Sequence, residues 1–260
     1  MPDRGWEDRR FQSDDRLFLL LRKPAENLLA EPQPGGWVLV REGWPDSASR
    51  DVVMRRFLGR DERADYAGRN PNVQRTWLLG RIAAKDAVRD LLWRGGAGRA
   101  FPVEVSVANE DGGRPTVAAP TDADVRVSIA HTAGLGVALA ADGGDVGIDI
   151  EVVEPRPASF EAATFTDAER ALLADQVGSG ADRDRVLTTW WAAKEAAAKA
   201  AGTGMQGRPR DFEVTEVRGS HLLVAGRWID TAAVPGPAGT DQDAHVVAWT
   251  ATDHPTSEEP

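Results

Sequence analysis

Two short segments bring together residue types suited to phosphate and metal chemistry. In the first, Val146, Ile148 and Ile150 alternate with Gly147, Asp149 and Glu151. That period of two predicts a strand with Asp149 and Glu151 on one face, their backbones roughly 7 Å apart. The second, Trp191-Ala192-Ala193-Lys194-Glu195-Ala196-Ala197-Ala198-Lys199, has high helix propensity and sets Trp191, Glu195 and Lys199 at successive i,i+4 positions with Lys194 beside them. If this helix packs on that strand, three carboxylates and two ammonium groups converge. Such a set suits a hard divalent cation, held by one or two carboxylates and phosphate oxygens, beside a phosphorylated ligand. The plainer alternatives are a solvated strand face and a Glu195–Lys199 helix ion pair, and the second is compatible with function.

The elements that would position these residues follow from pattern and punctuation. Trp37–Val40 reads as a strand after the turn residues Pro32, Pro34, Gly35 and Gly36, and Arg50–Arg56 as a helix. The stretch from Gly59 to Tyr66 reads as a short helix or loop. Apolar spacing from Val73 to Trp93 predicts a long amphipathic helix stopped by Gly95 and Gly96. Strands are expected at Val103–Val107, Val125–Ile129 and Leu135–Ala140, the last two joined by a loop at His131–Gly134. Pro155 and Pro157 interrupt the chain, and Thr166-x-x-Glu169 opens a helix as a capping box. A second long helix is expected over Val186–Ala201, then strands at Phe212–Val217, His221–Val224 and Val246–Thr250, and a disordered tail from Asp253. The residues before Gly36, with an apolar run at Leu17–Leu21, read as an extension or strand. The class is α+β: each half holds one long helix and several strands, without a visible sequence repeat.

Composition narrows the partners. With 260 residues and 42% hydrophobic content the chain can bury one large core or two small ones. Cysteine is absent, so neither disulfides nor thiolate metal sites are available. No apolar signal region or membrane span is expected, and the reading is a cytoplasmic protein. A net charge of −10 argues against nucleic acid as a partner. Only four of the 31 basic residues are lysine, Lys23, Lys85, Lys194 and Lys199, and three of those lie in motif-like segments.

Gly-Ile-Asp-Ile-Glu followed by Trp-x-x-Lys-Glu-Ala-x-x-Lys resembles the signature pair of the 4′-phosphopantetheinyl transferase superfamily, in its Sfp-type branch. The resemblance implies transfer of the phosphopantetheine arm of coenzyme A to a serine of an acyl or peptidyl carrier protein, with Mg²⁺ as cofactor. It implies a pseudodimer of two similar halves, each a long helix on a mainly antiparallel sheet, joined near residue 143 (1–143 and 144–260). Because a pseudodimer completes its own site, a monomer is expected. By the same resemblance Asp149 and Glu151 are metal ligands, and Glu195 is a further ligand, the general base for the carrier serine, or both. Lys194 and Lys199 meet the pyrophosphate, Lys199 also contributing to catalysis. Val127-Ser128-Ile129-Ala130-His131-Thr132 resembles the family's Ser-His segment, whose histidine contacts the 3′-phosphate, with Ala130 where serine is usual. Gly113-Arg114-Pro115 resembles a Gly-Lys-Pro segment at the adenosine end, where Arg114 keeps the charge and can stack. In the helix containing Arg75 to Lys85, Lys85 best fits a 3′-phosphate-binding position, with Arg69, Arg75 and Arg81 as helpers or as a solvated basic face.

The likeness spans most of residues 69–217, and the Trp77–Arg89 stretch looks most like transferase domains attached to polyketide or polyunsaturated-fatty-acid synthases. Trp190 and Trp191 are read as core packing, and His221, His245 and His254 as surface or structural. Two other readings use the same acids: a non-catalytic coenzyme A-binding or carrier-docking module, and a metal-dependent phosphohydrolase. Retention of all three carboxylates disfavours the first, and the coenzyme A contacts implied at His131 and Arg114 disfavour the second.

Overall fold

The computed structural model describes residues 30–98, 100–132, 134–237 and 245–251. Its first half is built on β1 (Ala30–Pro32), β2 (Trp37–Arg41), β5 (Val125–Thr132) and β6 (Leu135–Asp142), an antiparallel sheet of order β1-β2-β6-β5. Helices α1 (Ser47–Phe57), α2 (Arg60–Gly68) and α3 (Pro71–Arg94) precede a small hairpin of β3 (Ser106–Asn109) and β4 (Pro115–Ala118). Helix α3 lies across the sheet. It starts where Asn70 accepts a hydrogen bond from the Asn72 amide and Pro71 presets the first turn, and it stops at Gly95.

The second half also sets a long helix on an antiparallel sheet, here of five strands. Its sheet of order β7-β11-β10-β9-β8 is formed by β7 (Ile148–Val152), β8 (Val214–Arg218), β9 (His221–Val224), β10 (Arg227–Val234) and β11 (His245–Thr250). Before β8 come α4 (Ala158–Thr164), α5 (Asp167–Gly178), opened by the expected Thr166–Glu169 capping box, and α6 (Arg183–Ala200). Helix α6 packs on β7 and β11 as α3 packs on β5 and β6.

The described residues form three apolar cores. One lies under α3, with Phe57, Leu78, Ile82 and Val88; another lies under α6, with Phe165, Leu187, Trp190 and Ile229. The third joins the two sheets through Trp37, Leu139, Ile148, Val247 and Trp249, and it places β7 beside β5. At the tightest helix–strand approach, a Cβ on Gly147 would sit 1.9 Å from the Ala196 carbonyl oxygen. Only glycine lets α6 come that close to the start of β7. No helix among the described residues is long and apolar enough to cross a membrane.

A buried ionic latch recurs in both halves. Glu62, third residue of α2, accepts hydrogen bonds from the Gly59 and Val107 amides and pairs with Lys85 of α3 at 2.6 Å. Glu169, at the same place in α5, accepts from the Thr166 and Val214 amides and pairs with Lys194 of α6 at 2.7 Å. Glutamate and strand amide are 45 residues apart in each case. Each lysine also donates to two backbone carbonyls, Pro102 and Val105 for Lys85, Thr164 and Pro209 for Lys194. The charge pair thus ties a helix start, the long helix and a strand together, with its buried groups hydrogen-bonded.

The structure departs from the sequence reading at several points. The expected strand at Val103 begins only at Ser106, because Pro102 starts a 3₁₀ turn whose Glu104 side chain accepts from the Phe101 amide. β5 runs on to Thr132 instead of ending at Ile129, so His131 is a strand residue paired with Gly136. Helix α4 and strand β10 were not anticipated. The Leu17–Leu21 run, the tail from Asp253 and His254 lie outside the described residues.

Candidate active-site cleft

A cleft of about 510 Å³ opens where β5 and β7 meet, between the two sheets. That volume is in the range of small-ligand sites. Asp149 and Glu151 both line it, as alternation along β7 requires. Asp149 is 7% exposed; its Oδ1 receives the Lys199 ammonium at 2.7 Å, while its Oδ2 is buried without a hydrogen-bond partner among the described residues. Burial pushes the Asp149 carboxyl above the usual carboxylate range, and Lys199 opposes that rise. Glu151 is held on both oxygens, by Trp191 Nε1 at 2.9 Å and Arg156 Nη2 at 3.1 Å. Desolvation, then the charge of Asp149, raises it as well. Glu195, half-buried on α6, is raised by desolvation first and by Asp149 next.

The three carboxylates therefore feel one another, and a positive group between them would be favoured. Among the described residues, however, no three Asp, Glu, His or Cys side chains stand together as a ready-made metal cluster. What is present is an incomplete oxygen site: a buried orphan oxygen on Asp149 with two further acids nearby.

Of the eight basic residues expected to contact coenzyme A, the structure brings four to the cleft. Lys199, Arg81, Arg114 and His131 line it. Lys199 also donates to the Ile148 and Ile129 carbonyls at 3.0 and 3.4 Å, bridging β7 and β5. Arg81 stacks on Trp77, its guanidinium carbon 4.8 Å from the ring centroid, and donates to the Asn109 side chain. His131, near the end of β5, lines the cleft with its pKa lowered by desolvation and then by the Lys199 charge.

The other four are placed elsewhere. Lys85 and Lys194 have fully buried side chains engaged in the two latches, so their ammonium groups face protein acceptors instead of a ligand. Arg75 is exposed and spends its guanidinium on Glu42 at 2.6 Å. Arg69 stacks over Trp77 at 4.6 Å but does not itself line the cleft.

Sequence reasoning undervalued several residues. Trp191, read as packing, orients Glu151 while its ring meets Phe160 edge-on at 5.4 Å. Its i,i+4 relation to Glu195 was the available signal. Arg156 grips Glu151 and stacks on Phe160 from a proline-broken loop, where no local pattern marks it. Ser128 accepts a hydrogen bond from the Ile148 amide at 3.0 Å, pinning β7 to β5 next to Asp149.

Comparison with known proteins bears on this same region. Residues 145–251, from the start of the carboxylate strand through β11, match the model of the 4′-phosphopantetheinyl transferase superfamily. No curated protein matches the chain. Among solved structures, a holo-(acyl-carrier-protein) synthase from Bacillus anthracis str. Ames in complex with CoA (3′,5′-ADP) is similar at 26% identity, over 40% of this chain and 90% of that chain, with a TM-score of 0.35. The holo-[acyl-carrier-protein] synthase of Thermotoga maritima is similar at 27% identity, over 40% of this chain and 60% of that one, with a TM-score of 0.30.

Proposed function

We propose, from the match of residues 145–251 to the 4′-phosphopantetheinyl transferase superfamily, that this chain moves 4′-phosphopantetheine from coenzyme A to a carrier-protein serine. The observation that carries the reading is that Asp149, Glu151 and Lys199 line one cleft, with Glu195 of α6 outside its lining but close enough to feel all three charges, inside the matched segment. The finer assignments are part of the same proposal: an Sfp-type enzyme, Mg²⁺-dependent, cytoplasmic, monomeric and serving polyketide, fatty-acid or peptide assembly.

In the reaction, the carrier serine oxygen attacks the phosphorus that bears the pantetheine arm, and the bond to the leaving 3′,5′-ADP breaks. Glu195 is suited to take the serine proton, because its raised pKa brings its basicity closer to neutral pH. Lys199 offsets charge on the departing pyrophosphate oxygen. His131, Arg81 and Arg114 would receive the 3′-phosphate and adenosine end, with Trp77 backing Arg81. Trp191 and Arg156 hold Glu151 in place. The donor set fits Mg²⁺: Asp149 offers a buried oxygen without a partner, Glu151 and Glu195 stand near, and this ion takes few carboxylates when phosphates complete its shell. When bound, the ion neutralises pyrophosphate charge.

The test is to incubate the protein with an apo-carrier, coenzyme A and Mg²⁺ and to weigh the carrier. A gain of one phosphopantetheine is expected, and it should vanish in Asp149→Ala. Unmodified carrier throughout a panel of acyl and peptidyl carriers, with coenzyme A bound, would favour the docking-module reading. Near-normal transfer by Asp149→Ala would remove the acid from the site.

A further inference from the structure

The ammonium of Lys199 sits where a cation would be most useful. Its three protons meet three acceptors: Asp149 Oδ1 at 2.7 Å, the Ile148 carbonyl at 3.0 Å and the Ile129 carbonyl at 3.4 Å. An ammonium has no fourth donor, so in this arrangement Lys199 has nothing left for a phosphate. Nor can a divalent ion readily share Asp149 with it, since two positive charges a few ångströms apart in a poorly solvated cleft repel strongly. The Asp149 carboxylate is therefore half taken by lysine and half unused.

Comparison within the molecule shows that this lysine differs from its neighbours. Lys85 and Lys194 also have three protein acceptors each, but their side chains are fully buried, and neither has anywhere to go. The Lys199 side chain is 29% exposed and lines the cleft. It leaves the last turn of α6 on a flexible four-carbon stem. Its longest contact, to Ile129, is the one across the seam between the sheets.

We propose that Lys199 is a substrate-operated placeholder for the divalent cation: in the free protein its ammonium holds Asp149 and keeps the ion out. The pyrophosphate of coenzyme A then draws the ammonium off Asp149 and opens that carboxylate. Cation binding is thereby coupled to coenzyme A binding, and a metal-loaded protein without substrate is disfavoured. The inference rests on the transferase reading for the identity of the pyrophosphate ligand. It rests on geometry alone for the competition between Lys199 and a cation.

The experiment titrates Mn²⁺ into the free protein and follows unbound Mn²⁺ by electron paramagnetic resonance. Lys199→Met, and Lys199→Gln as a second variant, should bind Mn²⁺ roughly tenfold or more tightly than wild type without coenzyme A, within the usual span of coupling between sites. Thermal melting confirms that each variant is folded. Arg126→Gln, which removes a charge from the cleft lining on β5 without touching Asp149, should change Mn²⁺ affinity by no more than about threefold at ordinary ionic strength. Adding coenzyme A without a carrier should tighten Mn²⁺ by a larger factor in wild type than in either Lys199 variant. Equal Mn²⁺ affinity in free wild type and both variants overturns the proposal, as does an equal effect of coenzyme A on all three. Carrier modification by wild type is scored separately. If it succeeds while the Mn²⁺ pattern fails, only the placeholder falls. If no carrier is modified but the variants bind Mn²⁺ tightly without coenzyme A, the placeholder stands and the transferase reading falls.

Discussion

Replacing Lys194 by methionine separates its two conceivable roles. The residue lies in the motif helix beside Glu195, yet its ammonium pairs with Glu169 at 2.7 Å and neither side chain reaches solvent. Methionine keeps most of the buried stem but strands the Glu169 carboxylate, left with the Thr166 and Val214 amides. Breaking a buried ion pair by removing one partner costs about 3–5 kcal/mol. For a chain of this size each kcal/mol lowers Tm by about 2–4 °C, so a drop of roughly 6–20 °C is expected. The loss should shrink in the double variant Glu169→Gln/Lys194→Met, because no uncompensated charge then remains. Differential scanning calorimetry gives the Tm, and calorimetric titration with coenzyme A, below the melting onset, gives the affinity. Coenzyme A affinity should stay within about threefold of wild type, since a residue outside the cleft makes no ligand contact. A variant that melts like wild type but loses coenzyme A tenfold would refute the latch assignment and restore Lys194 to the phosphate site.

Glu195→Gln should slow transfer by about two orders of magnitude or more while leaving coenzyme A binding intact, as removal of a general base does. It should also raise Tm at pH 7.5: a carboxyl held above its unfolded value contributes stability that is present below that value, about 4.3, and lost as pH rises through the folded one. Melting curves from pH 7.5 downward should show the advantage of Glu195→Gln fading, and a variant less stable than wild type at pH 7.5 contradicts the sign. Gly147→Ala should destabilise by about 1–3 kcal/mol or more, because its Cβ would overlap the Ala196 carbonyl; urea unfolding with an unchanged midpoint would contradict that contact. His131→Ala and Arg81→Ala should weaken coenzyme A much more than 3′-dephospho-coenzyme A, and equal losses on both ligands would place these residues away from the 3′-phosphate.

What the sequence determined by itself are the features with a local physical cause. Alternating β-branched residues put Asp149 and Glu151 on one face, because a strand's side chains have a period of two. The Thr166–Glu169 capping box was equally legible, since a cap acts within a turn. Strand β10 was hidden because its Ala232 and Ala233 carry little intrinsic signal and its strandedness comes from pairing with β9 and β11 on either side. The lysines show the limit most clearly. Lys194 and Lys199 are five residues apart, about 140° around the helix, so one face of α6 cannot present both to the same ligand. Periodicity says that they diverge but not which of them meets the cleft. Only the packing of α6 on β7, with α5 covering its other side, decided that Lys199 reaches Asp149 while Lys194 is enclosed with Glu169. Lys85 carries the same lesson, since Arg81 lies one turn before it and yet reaches the cleft. The free energy of a charged side chain depends on what surrounds its terminal atoms, and those surroundings are assembled from segments far apart in the chain.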